Sequence, residues 1–197
     1  MKRLTITFSA ALIALSASTP ALAKFTLAPK GHSVLAAKGI TVTPGEDWNS
    51  DSRRPIKKGE VWTLDGSSLN ELYFVSGLAA GETIFRDIDK KRRPLPKMAA
   101  NMGLTDIPDF FESSARIALN TSLFEVSNVS PTKLSGQNGI KFSYRYAVQG
   151  AALVRNGVAT ATLVKGQLYL INFVAPNTYY FERDAPKAEV IMASAKL

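Results

Sequence analysis

The sequence predicts an α+β domain in which an antiparallel β-sheet is flanked by helices. Three observations carry this expectation. Segment 140–148 alternates: Ile140, Phe142, Tyr144, Tyr146 and Val148 point one way, and Lys141, Ser143, Arg145 and Ala147 the other. That is the period-2 pattern of a strand with one packed face and one wetter face. Segment 167–175 is apolar on both faces apart from Asn172, as a central strand is. Segment 106–120 spaces Phe111, Ala115, Ala118, Leu119 and Ser122 as a helix does. The strands fall in runs and do not alternate with helices, which argues against a doubly wound parallel sheet.

Taken in order, the chain opens on a stretch that reads as a secretory leader. Lys2 and Arg3 precede a mostly apolar run from Leu4 to Leu15. Pro20 and the small residues of Ala21-Leu22-Ala23 then mark cleavage after Ala23. The apolar run is too short to span a bilayer as a mature helix. The expected mature chain, 24–197, is one domain in size and periplasmic or secreted. Segment 24–33 reads as an extended lead-in. Segment 34–43 reads as one or two short strands, closed by the turn residues Pro44-Gly45. Segment 47–58 is polar and charged and reads as a loop. Segment 60–64 reads as a strand ending at the Asp65-Gly66 turn. Segment 69–78 is apolar and aromatic and reads as a strand buried on both faces.

Segment 83–102 reads as an exposed connection, because 87–97 is dominated by charge together with Pro94 and Pro96. The helix after it has Pro108 in its first turn, with Asp106, Asp109 and Glu112 at the positive end of its dipole. A β-meander is expected next. A broken strand, 123–129 and 131–134, leads into a turn at Gly136-Gln137-Asn138-Gly139 and then the alternating strand 140–148. A hairpin follows with its tight turn at Asn156-Gly157, and then the central strand, which Pro176 stops. Asp184 is expected to cap a last helix, 185–195, with Pro186 in its first turn. No internal repeat or low-complexity segment interrupts this order.

Composition narrows the chemistry. The chain has no cysteine, which removes disulfides, zinc–thiolate sites, iron–sulfur clusters, thiol nucleophiles and a lipoprotein anchor. Its formal charge is +8, or +6 once Lys2 and Arg3 leave with the leader. In an exported protein that charge favours anionic envelope components or a protein partner over nucleic acid, besides keeping the chain soluble. Its single histidine, His32, lies near the mature N-terminus and reads as an exposed polar residue rather than a catalytic base. Asp47-Trp48-Asn49-Ser50-Asp51 opens like a calcium loop, but Ser52 and Lys58 replace the required glycine and glutamate. Asp87 and Asp89 are followed at once by four cations and read as a surface ion-pair cluster. Ser130-Pro131-Thr132-Lys133 fits S-x-x-K, without the companion motifs and with a proline against the helix such a serine needs. No catalytic, metal or cofactor site is expected.

Two basic segments remain as candidate binding residues. Arg53, Arg54, Lys57 and Lys58 lie between Trp48 and Trp62, and Lys90, Lys91, Arg92 and Arg93 lie in the long connection. Arginine forks match phosphate and carboxylate, and tryptophan rings favour a wet–apolar boundary. Converging loops would form one anion-binding patch. The competing expectation is two separate solvated loops. A carboxylate-dependent hydrolase of an envelope polymer is the alternative function, because paired acids need no fixed spacing in sequence.

Segments 139–146 (Gly-Ile-Lys-Phe-Ser-Tyr-Arg-Tyr) and 166–171 (Gly-Gln-Leu-Tyr-Leu-Ile), with a closing helix containing Ile191 and Ser194, resemble the PsbP/Mog1-like family. That resemblance implies an α/β/α layout and a binding or accessory role rather than an enzymatic one. Trp48-Asn49, segment 60–66 and Leu69-Asn70 resemble an uncharacterised group of secreted proteobacterial proteins. The basic connection at Lys90 departs from the family pattern.

Overall fold

The computed structural model describes residues 25–52, 55–87, 89–121, 123–148, 150 and 153–197. The expected leader, Arg53 and Arg54 lie outside the described residues. The strands are β1 (Phe25–Ala28), β2 (Val34–Ala37), β3 (Ile40–Val42), β4 (Trp48–Asp51), β5 (Gly59–Thr63) and β6 (Glu71–Leu78). A 3₁₀ turn (Leu104–Asp106) leads into helix α1 (Ile107–Ala118). Strands β7 (Leu123–Leu134), β8 (Gln137–Ala147), β9 (Val154–Val164) and β10 (Gln167–Pro176) follow, then helix α2 (Tyr179–Ser194).

Eight strands form one antiparallel sheet in the order β1-β4-β5-β6-β10-β9-β8-β7, and β2 and β3 form a separate hairpin. Because side chains alternate along each strand, the sheet buries apolar residues on both faces. On one face α1 contributes Ile107, Phe110, Phe111 and Ala115 to a core with Phe124, Phe142, Tyr144 and Leu170. On the other face α2 and the β2–β3 hairpin cover Trp48, Trp62, Phe74, Ile171 and Phe173. The result is a three-layer α/β/α arrangement: the antiparallel sheet flanked by helices is what the strand and helix patterns predict, and the layout is what the resemblance implies. Among the described residues no helix is long and apolar enough to cross a membrane.

Strand β10 is central, and β6 beside it sends Leu72 and Phe74 to one core and Val75 and Leu78 to the other. The break expected in β7 is a register shift between Ser127 and Ser130, with Asn128 at φ 52°. Elsewhere the observed elements differ from the expected ones for identifiable reasons. Segment 47–58 contains β4: its ladders to β1 and β5 and the burial of Trp48 outweigh its polar composition. The lead-in 24–33 likewise contains β1, one of the sheet's two edge strands.

The β7–β8 turn is Ser135–Gly136, not 136–139, and Gln137 already pairs with Leu134. Ser135 and Gly136 have φ 53° and 76°, and Lys165 and Gly166 in the β9–β10 turn have φ 51° and 73°. Left-handed backbone at both central positions matches the twist of the strands. Asparagine tolerates that conformation better than lysine, so Lys165→Asn should stabilise the fold by ~0.5 kcal/mol and raise Tm by ~1–2 °C in thermal denaturation.

Asn156–Gly157 is no turn: both residues lie within β9, opposite Arg145 and Tyr144 of β8. Helix α2 begins at Tyr179, so Asp184 stands inside it rather than at its cap. The connection 83–102 is strapped down by buried Ile84, Leu95 and Met98, while its basic tip, Arg86, Lys97 and the stretch Ala99-Ala100-Asn101 are exposed.

Candidate functional site

A cleft of about 560 Å³ opens where the β2–β3 hairpin meets the ends of β5, β6 and β10. Its size falls within the range of small-ligand sites. Its walls come from segments far apart in sequence. The hairpin supplies Leu35, Ala37 and Lys38; Lys57 and Lys58 come from the segment just before β5 and Glu60 from β5 itself; Ser76, Gly77, Gln167 and Tyr169 form the floor. Strand periodicity explains the floor: Ser76 shares the face of Phe74, and Tyr169 that of Ile171, both in the core covered by α2. The Ser76 hydroxyl donates to the Lys38 carbonyl and pins the hairpin turn above β6.

Part of the lining is already committed to internal contacts. Lys58 pairs with Glu82 at 2.8 Å and donates to the Gly77 carbonyl at 3.2 Å. The Lys58 hydrogen bond, aided by the Ala79 N–H, holds the Glu82 carboxyl below its ordinary range. Glu60 accepts from Ser50 Oγ at 2.5 Å and from Trp62 Nε1 at 2.8 Å. Lys38 and Lys57 form no ion pair among the described residues. The side chains of Gln167 and Tyr169 have no hydrogen-bond partner among the described residues either.

The structure divides the binding set expected from sequence. Lys57 and Lys58 line the cleft. Trp48 and Trp62 do not sit at a wet boundary: both are fully buried, Trp48 edge-on to Phe173 and Trp62 to Phe74. The second basic segment goes elsewhere. Arg93 donates to Asn120 Oδ1 beyond the C-terminal end of α1, and with Arg86, Asp89 and Leu95 it faces Ile117 and Ala118. A cation there suits the negative end of the helix dipole. Since α1 covers the sheet face opposite the hairpin, Arg93 and the cleft belong to different faces. Lys90, Lys91 and Arg92 are exposed around it. Backbone pairing of Ile56 with Phe85 links the bases of the two loops.

Lys38, Gln167 and Tyr169 escaped the sequence reading. Lys38 stands alone, and the other two looked like ordinary members of a buried strand. The available signal was β10's polar, amphipathic opening, Gln167 and Tyr169, ahead of its apolar run.

A second hollow lies beneath α1 among Tyr73, Phe111, Phe124, Tyr144 and Tyr146, but at about 30 Å³ it has room for about one water. Burial pushes the Tyr146 phenol up to about 12 and the Tyr144 phenol well above its ordinary value, so both stay neutral at physiological pH. Tyr144 donates to Asn172 Oδ1 at 2.7 Å, which makes this a satisfied core cluster. Among the described residues no group of three His, Asp or Glu side chains gathers to hold a metal ion.

No family model matches the chain, and no curated protein sequence does. Solved structures do. The solution structure of PsbP (CyanoP) from the cyanobacterium Synechocystis superposes with a TM-score of 0.54 at 16% identity, covering 92% of this chain and 97% of that one. The crystal structure of LpqN of Mycobacterium tuberculosis, a protein involved in cell envelope biogenesis, matches with a TM-score of 0.35 at 12% identity, over 87% of this chain and 90% of that one. The chain has a PsbP-like fold.

Proposed function

We propose that this chain is an exported, non-catalytic binding or accessory protein that contacts an anionic envelope component through the hairpin cleft. The observation carrying this reading is the gathering of Lys38, Lys57 and Lys58 around one cavity, with Glu60 as the single carboxylate in its described lining. Two of those ammonium groups have no internal ion pair among the described residues, so their charge is available to a ligand. A formal charge of +8 over the whole chain favours encounter with anionic surfaces. A carboxylate hydrolase needs two acids converging on a cleft, one with a raised pKa. Glu60 meets no second acid in the described lining, and the neighbouring Glu82 is shifted down, not up.

The test is retention of the purified protein on immobilised lipopolysaccharide across a salt series. The double variant Lys38→Glu/Lys57→Glu should bind at least about tenfold more weakly, equivalent to ~1.4 kcal/mol, and show a shallower salt dependence. Lys90→Glu/Lys91→Glu, which carries the same charge change on the other loop, should bind as the unaltered protein does. Equal losses in the two variants would reduce the effect to net charge and remove the cleft from the reading.

A further inference from the structure

The chemistry of the cleft floor points to a narrower ligand class, and this step rests on the anion-binding reading above. We infer that the cleft takes an anionic saccharide, a sugar carrying a phosphate or carboxylate group.

Lysine ammonium groups alone would suit any anion, because each is a compact point charge with rotatable donors. The floor adds a different kind of group. Gln167 offers an amide with two donors and one acceptor oxygen, and Tyr169 a hydroxyl that both donates and accepts. Neither has a partner among the described residues, although both are half-buried. Partly desolvated polar groups left unpaired cost stability, so a ligand that pairs them gains from doing so. Sugar hydroxyls have the matching dual character. The tyrosine ring also offers an apolar surface beside its polar tip, as the alternating C–H and O–H faces of a pyranose require.

The backbone keeps this floor open. Gly39 and Gly77 flank the tyrosine, both with left-handed backbone, at φ 97° and 65°. A Cβ on Gly39 would lie 3.2 Å from Ser76 Oγ and 3.8 Å from the Tyr169 ring. One on Gly77 would lie 3.3 Å from Gln167 Oε1 and 3.6 Å from the Tyr169 hydroxyl. Side chains at these two positions would crowd the groups assigned here to the sugar. Lys38, next to Gly39, and Lys57, across the cleft, place the charges at the rim, where a phosphate or carboxylate substituent would sit.

Calorimetric titration with glucose 1-phosphate, inorganic phosphate and glucose separates the contributions. Glucose 1-phosphate should bind about tenfold more tightly than either of the others, since it engages rim and floor together. Tyr169→Phe keeps the ring and removes the hydroxyl; Gln167→Ala removes the amide. Each should weaken glucose 1-phosphate about threefold to tenfold and leave phosphate unchanged. If phosphate and glucose 1-phosphate bind equally and both are lost in Lys38→Ala/Lys57→Ala, the saccharide inference fails while the anion-binding reading stands. If both bind but neither depends on those lysines, the reading itself fails. Absence of binding by all three at millimolar concentration overturns the saccharide inference, and lipopolysaccharide retention then decides the reading separately.

Discussion

Replacing Asp184 with alanine should lower the unfolding free energy by about 2–4 kcal/mol. Asp184 is fully buried and joins α2 to the β5–β6 turn. Its carboxylate receives Arg183 at 2.6 Å, Lys187 at 3.2 Å and Asn70 Nδ2 at 3.0 Å. Asn70 is itself fully buried and satisfied on both sides. Its amide also donates to Asp65, and its oxygen accepts from Thr63 Oγ1 and the Leu64 N–H, each at 2.8 Å. Arg183 closes the ring by pairing with Asp65 and lies over the rings of Tyr179 and Tyr180. Alanine would strand a buried amide and a pair of cations that lose their common anion. The cations are about a quarter exposed, so water compensates them in part, which keeps the figure below the full cost of an orphaned buried charge. Urea denaturation measures the loss, and a cost under about 1 kcal/mol would show that the network contributes little.

Asp184 also sets a pH dependence. Burial works to raise its pKa, but the hydrogen bonds and charges of Arg183 and Lys187 outweigh burial and bring it below its ordinary value of 3.8. A carboxyl whose native pKa is depressed binds its proton more readily when unfolded. Its contribution is therefore complete above the ordinary value and is lost as pH falls through the native one. The stability gap between the unaltered protein and Asp184→Asn should hold steady at neutral pH and narrow below about pH 4. A gap that widens in acid would contradict this assignment.

The second large effect is expected at Gly157, where alanine should cost about 2–3 kcal/mol. In an open strand the same change would be slightly stabilising, because glycine is the poorer strand residue. Here a Cβ would fall 2.1 Å from Tyr144 Cζ and 2.4 Å from its Cε1. The tyrosine cannot withdraw. Its ring is stacked on Phe124 at 5.0 Å and abuts Phe111 at 5.2 Å, and its hydroxyl is bonded to Asn172. In a Tyr144→Leu background, Gly157→Ala should cost less than about 1 kcal/mol, so a double-mutant cycle would show strong coupling. Additive costs would mean that the clash is relieved by backbone movement instead.

The same glycine marks the limit of reading structure locally. Asn-Gly has the composition of a tight turn, and nothing within β9 says otherwise. What displaces the turn is a ring on the neighbouring strand, opposite Gly157 in the ladder. Trp48 and Trp62 teach a related lesson. An indole in a charged stretch is equally suited to a boundary and to a core, and strand pairing put both inside. Asp184 has the residue type of a helix cap, yet buried Asn70, 114 positions earlier, holds it one turn into the helix. Of the cleft, only Lys57 and Lys58 were visible, because a run of cations is conspicuous. Lys38, Gln167 and Tyr169 become neighbours only when β6 and β10 pair and the hairpin folds over them.

By itself the sequence determined the α+β class, the alternating strand β8, the doubly buried β6 and β10, the helix with Pro108 in its first turn and the chemistry ruled out by the lack of cysteine. These rest on periodicity and composition, which report how each segment meets an apolar layer whatever its partner is. Tertiary structure alone decided which helix covers which face, where the tryptophans and Asp184 lie, and that Lys57 and Lys58 part company with Arg93. Those outcomes depend on contacts between residues distant along the chain, and such contacts leave no periodic trace in either partner.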